Sequence, residues 1–491
     1  MITFQYLTPW EVYWTVDNPR ESKWLKNQFT KVDYSDLYHK KQFGYFPQIE
    51  YLDTIGARMT HGQVLQAIDL CQKDGIEYQI TNQFPRLNAE CGTIPGDFLP
   101  GIAMRDYQCL ATQIAAGQGQ GLICIDTGGG KTVVMGALLR IILENTQCTG
   151  VLILINNKNL LNQTARRMNQ YGVPMDDIGI VHSDISPQKQ AEESQKRVVL
   201  STHMSITKYQ GTIERTQYLL CDEAHHCVGP LWSALISRLP NMLNAIGFTA
   251  TPWENDDEEM RMRSIFGRVL VDIPARYLIK RGFLMRPEIY MIKLEYPDRD
   301  REICAKMSWQ EAKKLFVEED KARNLLPVAC LKKVPGRMLV LYDTIKHGKE
   351  IARLYDHYAE QHGFSSMIAD GSTSTKKRDA AIEWFEQDCD VENGESGKVL
   401  IGSRIFDEGT DIQGGCDTLF VLGAAKSKRK AKQRCGRALR KNRSGKLYIF
   451  DVWDSNHTSL RDWSGKRKKV WEELGVPINV ITLKQFMDLE L

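Results

Sequence analysis

The chain has 491 residues, of which 42% are hydrophobic and 25% are charged, which is ordinary for a soluble globular protein. A chain of this length indicates about three domains at the usual domain size. The formal net charge is only +3, which excludes a globally basic protein, so any surface that binds nucleic acid must be local.

Residues 1–98 are interpreted as a small α+β domain, in which His61 to Asp74 has helical spacing. The segment is rich in aromatic residues, including Trp10, Trp14 and Trp24. These rings could stack on bases while lysines contact phosphates, namely Lys23, Lys26, Lys31, Lys40 and Lys41. Acidic residues balance these lysines, which favours a packed core for most of the rings. The domain is therefore predicted either to bind nucleic acid or to buttress the domain that follows.

The stretch from Gly121 to Thr132 has the pattern of a phosphate-binding loop. Leu122 to Ile125 is a short apolar run typical of a buried parallel strand, and an apolar helix is predicted from Val133 onwards. The loop itself comprises Thr127, Gly128, Gly129, Gly130, Lys131 and Thr132. Its glycines let backbone N–H groups face phosphate oxygens, Lys131 can reach the β- and γ-phosphates, and the Thr132 hydroxyl can bind Mg²⁺. Ile125 stands where the full pattern has its first glycine, and the alternative is a glycine-rich turn with a chance lysine.

Gln108 lies shortly before this loop and is a candidate contact for adenine. Its amide offers a donor and an acceptor together, which suits the edge of an adenine base. A glutamine on a helix is usually a solvated residue, but the position ahead of the loop favours a role at a nucleotide. Arg105, in the same segment, is included with it as a candidate.

Further apolar runs at Val151 to Ile155, Val198 to Thr202 and Tyr218 to Cys221 alternate with helical stretches. This alternation predicts a parallel sheet with helices on both faces. The last run leads directly into Asp222 and Glu223, which we expect in the crevice at the carboxyl ends of the strands. Asp222 could hold Mg²⁺ and Glu223 could orient or deprotonate an attacking water. The alternative is a pair of surface acids at a strand end.

After a further strand, the hydroxyl residues of Gly247 to Pro252 could bridge the acidic site to a second ligand, or form a simple turn. The acidic run from Glu254 to Glu259 is interpreted as a solvated loop. A second α/β unit follows, with strands predicted at 338–342, 398–401 and 418–422 and a helix at 347–358.

This second unit lacks a phosphate loop but carries Gln433, Arg437 and Arg440. The two arginines are three residues apart, so they share a face if the segment is helical, and two guanidinium groups could clamp a transferring phosphoryl group. Residues 426–443 hold many lysines and arginines and no acid. The alternative is a basic solvated helix or a binder of phosphate backbones.

Taken together, the motifs DTGGGKT, DEAH, FTATP, DEGTD and QRCGRALR resemble, in their order, the superfamily 2 helicases and translocases. The resemblance covers roughly Ile102 to Asp451. The segments LINNKNLLNQ, STHMSI and IFDEGTDI are more similar to the DNA-acting branch that includes UvsW-type phage helicases, RadD and XPB. A DEAH sequence alone would also permit an RNA helicase. The long C-terminal extension that is typical of DEAH-box RNA helicases is not seen after Arg440.

The resemblance implies an α/β fold of two tandem RecA-like parallel-sheet domains behind the small N-terminal domain. The implied ranges are 99–285 for the first motor domain, 286–330 for a connection and 331–491 for the second. ATP with Mg²⁺ would lie between the two motor domains. The resemblance places Gly409 and Asp411 near the nucleotide and Asn156, Thr202 and Ser372 on the nucleic-acid backbone. Asn156 and Asn157 stand where a Pro-Thr pair is common.

These features predict an ATP-dependent DNA helicase or translocase, acting in recombination, repair or replication. Its substrate would be duplex, forked or branched DNA, with an RNA–DNA hybrid as a further candidate, and it would act as a monomer. The alternatives are an RNA-dependent ATPase and a nucleic-acid-binding scaffold with an inactive motor.

The 12 scattered cysteines form no CxxC pair and no Cys/His set at zinc spacing. With no signal-peptide pattern in Met1 to Tyr13 and no apolar run as long as a membrane span, we expect a cytoplasmic protein in a bacterial or phage-infected cell.

Overall fold

The computed structural model describes residues 1–32, 48–53, 55, 57–84, 86, 89, 91–371, 373–387, 389, 397–403, 412, 414–423 and 428–491. They form two units, Met1–Ile125 with Gly130–Asp272 and Asp126–Gly129 with Ile273–Leu491. In the part of the chain so described, no helix has both the length and the apolar character needed to cross a bilayer.

In the described part of the chain up to Ile273 there are thirteen strands, of which the first six belong to the N-terminal domain. The strands are β1 (Ile2–Tyr6), β2 (Glu11–Val16), β3 (Thr30–Val32), β4 (Gln48–Glu50), β5 (Arg58–Thr60), β6 (Tyr78–Thr81), β7 (Gln120–Ile125), β8 (Val151–Leu154), β9 (Ile178–Val181), β10 (Val198–Ser201), β11 (Tyr218–Asp222), β12 (Asn244–Thr249) and β13 (Val269–Ile273). The α-helices are α1 (Pro19–Gln28), α2 (His61–Asp74), α3 (Asp106–Gln118), α4 (Lys131–Asn145), α5 (Lys158–Gln170), α6 (Pro187–Glu193), α7 (His203–Ile206), α8 (Gln210–Arg215), α9 (Pro230–Ile236) and α10 (Asp256–Phe266), with 3₁₀ turns at Met175–Asp177 and Ala224–Val228.

A seven-stranded sheet in the order β13-β7-β12-β11-β8-β10-β9 forms the centre of this unit. The strands from β7 to β12 pair in parallel, and β7, β8, β10 and β12 are buried along their whole length. Continuous apolar runs form such strands because helices cover both faces of a parallel sheet. The predicted strands at 151–155, 198–202 and 218–221 are all present. The structure adds β9 and β13, which the sequence did not single out.

The N-terminal domain has a four-stranded sheet in the order β5-β2-β1-β6 and a two-stranded β3-β4 ribbon. Helix α2 spans the predicted residues and is capped at Thr60, whose side chain accepts from the Gln63 N–H. Trp14 is buried in the core of this domain, whereas Trp10 is buried in the adjoining core beside the seven-stranded sheet. Most of the described aromatic rings here therefore serve packing, as the balance of charges favoured.

Helix α2 packs against α10 within the first unit. The Thr60 hydroxyl donates to the Ser264 carbonyl, and Arg268 Nε donates to Asp69 Oδ2 at 2.6 Å. Met260 of α10 is buried in the core of the N-terminal domain. The two domains thus share apolar and polar contacts along α10.

The acidic run that we interpreted as a solvated loop is instead the start of α10. Asn255 caps this helix by accepting from the Glu258 N–H at 2.9 Å. The acids from Asp256 to Glu259 fill its first turn. Negative charge is favourable there because it complements the partial positive charge of a helix N-terminus. The loop interpretation was wrong for these residues.

The second unit is built on a seven-stranded sheet in the order β16-β17-β15-β18-β19-β14-β20, all parallel. Its strands are β14 (Glu288–Lys293), β15 (Gly336–Leu341), β16 (Phe364–Ala369), β17 (Gly397–Gly402), β18 (Thr418–Val421), β19 (Tyr448–Trp453) and β20 (Ile478–Thr482). Its α-helices are α11 (Ala275–Lys280), α12 (Asp298–Lys306), α13 (Trp309–Lys313), α14 (Lys321–Asn324), α15 (Leu326–Leu331), α16 (Ile345–His362), α17 (Thr375–Glu386), α18 (Lys428–Ala438), α19 (Thr458–Glu472) and α20 (Leu483–Met487), with a π-helical turn at Lys314–Glu318.

The three strands and the helix predicted for this unit are present as β15, β17, β18 and α16. Strand β14 lies within residues 286–330, the range interpreted as a connection, and pairs with β19 and β20. The second sheet therefore begins at Glu288. The two parallel sheets confirm the predicted fold of tandem RecA-like domains.

Candidate functional site

The phosphate loop joins β7 to α4, as its sequence predicted. Gly128 and Gly130 have φ angles of 82° and 87°, in the left-handed region that glycine adopts without steric cost. The N-cap of α4 is Gly130, which has no side chain to cap the helix. The first N–H groups of this 15-residue helix are therefore oriented for an anion, and the helix dipole favours one there.

Lys131 extends across this loop towards the end of β11. Its Nζ donates to the Ile125 carbonyl at 3.4 Å and lies 3.4 Å from Glu223 Oε1. The Lys131 side chain is only 12% exposed, so this ion pair is poorly screened by solvent. The structure thus brings together the lysine and the acid that the sequence assigned to two different motifs. Thr132 follows Lys131 in the first turn of α4.

Glu223 occupies an unusual backbone conformation immediately after β11. Its φ angle is 47°, in the left-handed region that side chains other than glycine rarely adopt. The Glu223 N–H donates to Asp222 Oδ1 at 3.1 Å, and the 3₁₀ turn Ala224–Val228 begins directly after it. Strained conformations of this kind persist where the surrounding structure holds them, and they concentrate at functional sites.

The two acids have different electrostatic surroundings. Burial raises the pKa of Asp222 to about 6, and the neighbouring Glu223 carboxylate adds to the rise. Burial also acts to raise the pKa of Glu223, but the Lys131 ammonium and His225 outweigh it and lower that pKa below its ordinary value. Glu223 is therefore the more acidic of the two carboxyl groups, and it is the one that lies beside Lys131.

The DEAH histidine connects Glu223 to the end of β12. His225 is buried, and its Nδ1 lies 3.4 Å from Glu223 Oε2 and 3.2 Å from Thr249 Oγ1. The Thr249 hydroxyl in turn accepts from the Thr251 N–H at 3.2 Å. This places the FTATP segment against the acidic site, as one of the two interpretations of that segment required.

Gln108 lies beside the phosphate loop. It is buried in α3, and its Oε1 accepts from the Arg105 N–H at 2.9 Å. A Cβ atom on Gly130 would collide with the Gln108 amide nitrogen, so the two residues are in close contact. The Arg105 guanidinium donates to the Tyr107 hydroxyl at 2.7 Å. The proximity of Gln108 to the loop agrees with its expected position, and the adenine contact stays a prediction.

The residues assigned to the second motor domain are only partly described. Gln433 is buried in α18, and its amide nitrogen has no hydrogen-bond partner among the residues described. Arg437 lies in the same helix, but its side chain is outside the description. Helix α18 ends at Ala438, so Arg440 lies beyond it, where its Nη1 donates to the Ile412 carbonyl at 3.3 Å. Gly409, Asp411 and Ser372 lie outside the described residues.

Two residues expected on the nucleic-acid backbone lie at the carboxyl ends of β8 and β10. Thr202 caps α7, with its Oγ1 accepting from the Ser205 N–H at 3.3 Å. Asn156 Nδ2 lies 3.2 Å from Nε2 of His226, the residue after the DEAH sequence. His226 has no signal in the sequence, because no local pattern indicates which residue will contact Asn156. The nucleic-acid contacts themselves stay predictions.

The donors around the loop fit Mg²⁺ that arrives with a nucleotide. Within the described ranges, no group of three or more His, Cys, Asp or Glu side chains could hold a metal ion. The candidates are the Thr132 hydroxyl and the Asp222 carboxylate. Mg²⁺ is usually held by one or two carboxylates together with substrate phosphates and water, so this small set is sufficient.

Two family models match the chain in succession. The model described as the res subunit of type III restriction enzymes covers residues 101–254, and the helicase conserved C-terminal domain covers residues 320–442. Together they span more than half of the chain and include the loop, the DEAH sequence and α18.

Several known proteins are similar over most of this chain. The ATP-dependent DNA helicase uvsW of Enterobacteria phage T4 is 22% identical over 72% of this chain and 68% of its own length. The DNA 3'-5' translocase XPB2 of Sulfurisphaera tokodaii is 23% identical over 71% of this chain and 81% of its own length. The type ISP restriction-modification enzyme LlaBIII was solved bound to DNA, and its structure matches with a TM-score of 0.59 at 16% identity. The match covers 84% of this chain and 34% of the LlaBIII chain.

Other curated relatives are longer, and the chain spans between 52% and 65% of the length of several of them. The ordered motifs, the two parallel sheets and the two matching family models agree with one another. The chain belongs to the superfamily 2 helicases and is similar to their UvsW type.

Proposed function

We propose that this protein is an ATP-driven DNA helicase or translocase that acts on duplex or branched DNA. The observation that carries the proposal is the Lys131–Glu223 pair, set 3.4 Å apart over an uncapped helix N-terminus. This combination supplies an anion-binding site and an acid beside it, which hydrolysis of a nucleoside triphosphate requires. Both the basic residue Lys131 and the acidic residue Glu223 are present, which argues against a scaffold with an inactive motor.

The ion pair suggests how nucleotide binding prepares the site. Lys131 holds Glu223 in its ionised form while the loop contains no phosphate. A bound triphosphate competes for the Lys131 ammonium, because its charge is larger than that of one carboxylate. Loss of Lys131 as a partner raises the pKa of Glu223, which makes this carboxylate a better proton acceptor for the attacking water. Thr132 and Asp222 would hold the Mg²⁺, which neutralises charge on the phosphates when bound.

Arg437 is proposed to stabilise the charge that develops on the transferred phosphoryl group, and Gln433 to contact the nucleotide. Hydrolysis would then change the conformation of the motor domains and move the protein along the nucleic acid. Asn156, Thr202 and Ser372 are proposed to contact backbone phosphates, so binding should be independent of sequence and sensitive to salt. DNA is favoured as the nucleic acid because the relatives uvsW and XPB2 are a DNA helicase and a DNA translocase, and because LlaBIII was solved bound to DNA.

Residues 1–98 are proposed to contact DNA near a junction. Lys23 and Lys26 lie on one side of α1 and line a polar pocket together with Asn27 and Gln48. Removing the whole domain would expose Met260 and the core around Trp10, so a truncated chain could fail for structural reasons alone. Substitutions on the surface therefore test this proposal better than a deletion does.

In the test, Lys23→Ala and Lys26→Ala are combined, and affinity for forked DNA is measured at several salt concentrations. We expect the double variant to bind forked DNA more weakly. The slope of log affinity against log salt concentration should fall by about one for each lysine that contacts a phosphate in the unmodified chain. Lys73→Ala is the matched control, because this exposed lysine lies on the same domain in the last turn of α2. Equal affinity and equal slope in the double variant would leave the domain with a supporting role only.

The experiment for the function itself is strand displacement and branch migration by the full chain. Forked and four-way DNA substrates are incubated with ATP, with a non-hydrolysable analogue and without nucleotide. We expect displaced strands or branch-migrated DNA only in the reaction that contains ATP. Equal product with the analogue, or none with any DNA substrate while an RNA duplex is unwound, would refute the assignment in favour of passive binding or of an RNA helicase.

A further inference from the structure

A row of aromatic rings leads away from Glu223 on the side of the first motor domain where β10 and β11 end. His225 contacts the Glu223 carboxylate, and the His226 ring lies 4.3 Å from that of His225. Trp232 follows, stacked on His226 with a centroid distance of 6.4 Å. The last ring is His203, whose centroid is 4.9 Å from that of Trp232. The row joins the Glu223 carboxylate to the first residue of α7.

The middle of this row is held as one piece. His225 and His226 lie on the 3₁₀ turn Ala224–Val228, and Trp232 lies on α9. The Gly229 N–H donates to the His226 carbonyl at 3.1 Å, and the Ser233 hydroxyl donates to the Cys227 carbonyl at 3.0 Å. Trp232 is only 4% exposed. A displacement of Trp232 would therefore be passed to the turn that begins at Glu223, since packed interiors deform little.

The outer end of the row is positioned to respond to a ligand. His203 follows Thr202, which is proposed to contact the nucleic-acid backbone, and α7 has only four residues. Met204, the next residue, is 67% exposed. Buried Nδ1 of His203 has no hydrogen-bond partner among the described residues, and the ring packs on Trp232. Helix α7 is a single turn with an exposed residue near its start and the buried Ile206 at its end, so a ligand bound at its start can shift His203 against Trp232.

We propose that His203 and Trp232 are positioning residues that transmit nucleic-acid binding at α7 to Glu223, and so set the stimulation of ATP hydrolysis by DNA. The inference rests on the proposed function and deepens it. Contact of the DNA backbone with Thr202 would shift His203 against Trp232, and the rigid turn would carry this change to the carboxylate that handles the attacking water. Neither residue touches the nucleotide.

The test measures ATP hydrolysis by the full chain at saturating ATP over a range of forked-DNA concentrations. For His203→Ala, the ratio of the maximal DNA-stimulated rate to the DNA-free rate should fall by about three- to thirtyfold. The DNA-free rate and the DNA concentration at half-maximal stimulation should each stay within about twofold of the unmodified chain, since the variant weakens coupling rather than binding. His203→Phe keeps a ring against Trp232 and should restore most of the ratio.

Two further variants separate transmission from simple contact or loss of structure. Met204→Ala is the matched control on the same helix and should keep the maximal ratio. Trp232→Phe should lower the ratio, and its combination with His203→Ala should lower it no further, since two residues that act in one row are not additive. Thermal unfolding of each variant identifies any that fail to fold.

The inference is overturned if His203→Ala keeps the full ratio, if Met204→Ala loses as much, or if only the half-maximal DNA concentration changes. Additive losses in the double variant would also overturn it. A complete lack of stimulation in the unmodified chain would instead overturn the proposed function, and this inference with it.

Discussion

Substitution of Gly62 by alanine tests whether the N-terminal domain must dock closely on α10. A Cβ atom on Gly62 would lie 2.5 Å from the carbonyl oxygens of both Arg263 and Ser264. These are backbone atoms at the C-terminal end of α10, so neither can rotate away, and the two helices must separate. We expect this single methyl group to loosen the contact between the two domains.

Two opposing effects set the magnitude. Overpacking of a close contact costs about 1–3 kcal/mol. Replacing a glycine within a helix by alanine contributes about 0.5–1 kcal/mol of stability. The clash is larger, so Gly62→Ala should destabilise the first unit by about 1–2 kcal/mol and lower its melting temperature by a few degrees.

The control is Gly117→Ala in α3, because a Cβ atom on Gly117 would have no neighbour within 4 Å. This variant should be slightly more stable than the unmodified chain. Thermal unfolding, affinity for forked DNA and the DNA-free ATPase rate are measured for both. We expect Gly62→Ala to lose DNA affinity while it keeps the DNA-free rate. A melting temperature for Gly62→Ala equal to or above that of Gly117→Ala would refute the argument from the close contact.

Three further predictions concern the chemistry and the second unit. Glu223→Gln should bind ATP normally but lose about 10²–10⁴-fold in hydrolysis, and near-normal turnover would remove Glu223 from its proposed role. Arg437→Ala should keep nucleotide affinity and lose about 10³-fold or more in turnover with DNA present, which a steady-state assay at saturating ATP measures. Arg467 is buried and donates to the Asp451 carboxylate at 2.9 Å, so Arg467→Met should cost about 3–5 kcal/mol in chemical unfolding. Lys468→Ala, which removes an exposed pair on the same helix, should change stability by less than about 0.5 kcal/mol.

The sequence was sufficient to predict only some of the strands in the two sheets. Strand β8 lies within the apolar run at Val151 to Ile155, and β10 within that at Val198 to Thr202. A strand covered on both faces needs apolar residues throughout, so its local composition identifies it. The loop between β7 and α4 was predicted for a similar reason, because its glycines are required by the backbone itself.

Other elements depended on contacts distant in sequence. Strand β14 is a short buried run inside a largely charged region, and its place between β19 and β20 becomes visible only in the folded sheet. The acids at the start of α10 have the composition of a solvated loop, and the Asn255 cap is what makes them the first turn of a helix. Arg437 and Arg440 share a helix face only if the segment that contains both is helical, and α18 ends two residues before Arg440.

The candidate site shows the same division. Lys131, Asp222 and Glu223 were identified from short motifs, whereas the direct pairing of Lys131 with Glu223 required the three-dimensional arrangement of β7 and β11. The contact between Asn156 and His226 had no local signal at all. Motifs therefore identified the groups that carry the chemistry, and the structure identified the partners that position them.

The most direct test of the central claim is the ATPase rate of the full chain with forked duplex DNA, with single-stranded DNA, with duplex RNA and without nucleic acid, alongside Lys131→Ala. We expect the forked duplex to give the highest rate, RNA to give little more than the rate without nucleic acid, and Lys131→Ala to be inactive throughout. Stimulation by RNA alone, or hydrolysis that survives Lys131→Ala, would contradict the account of this chain as a DNA motor that uses this site.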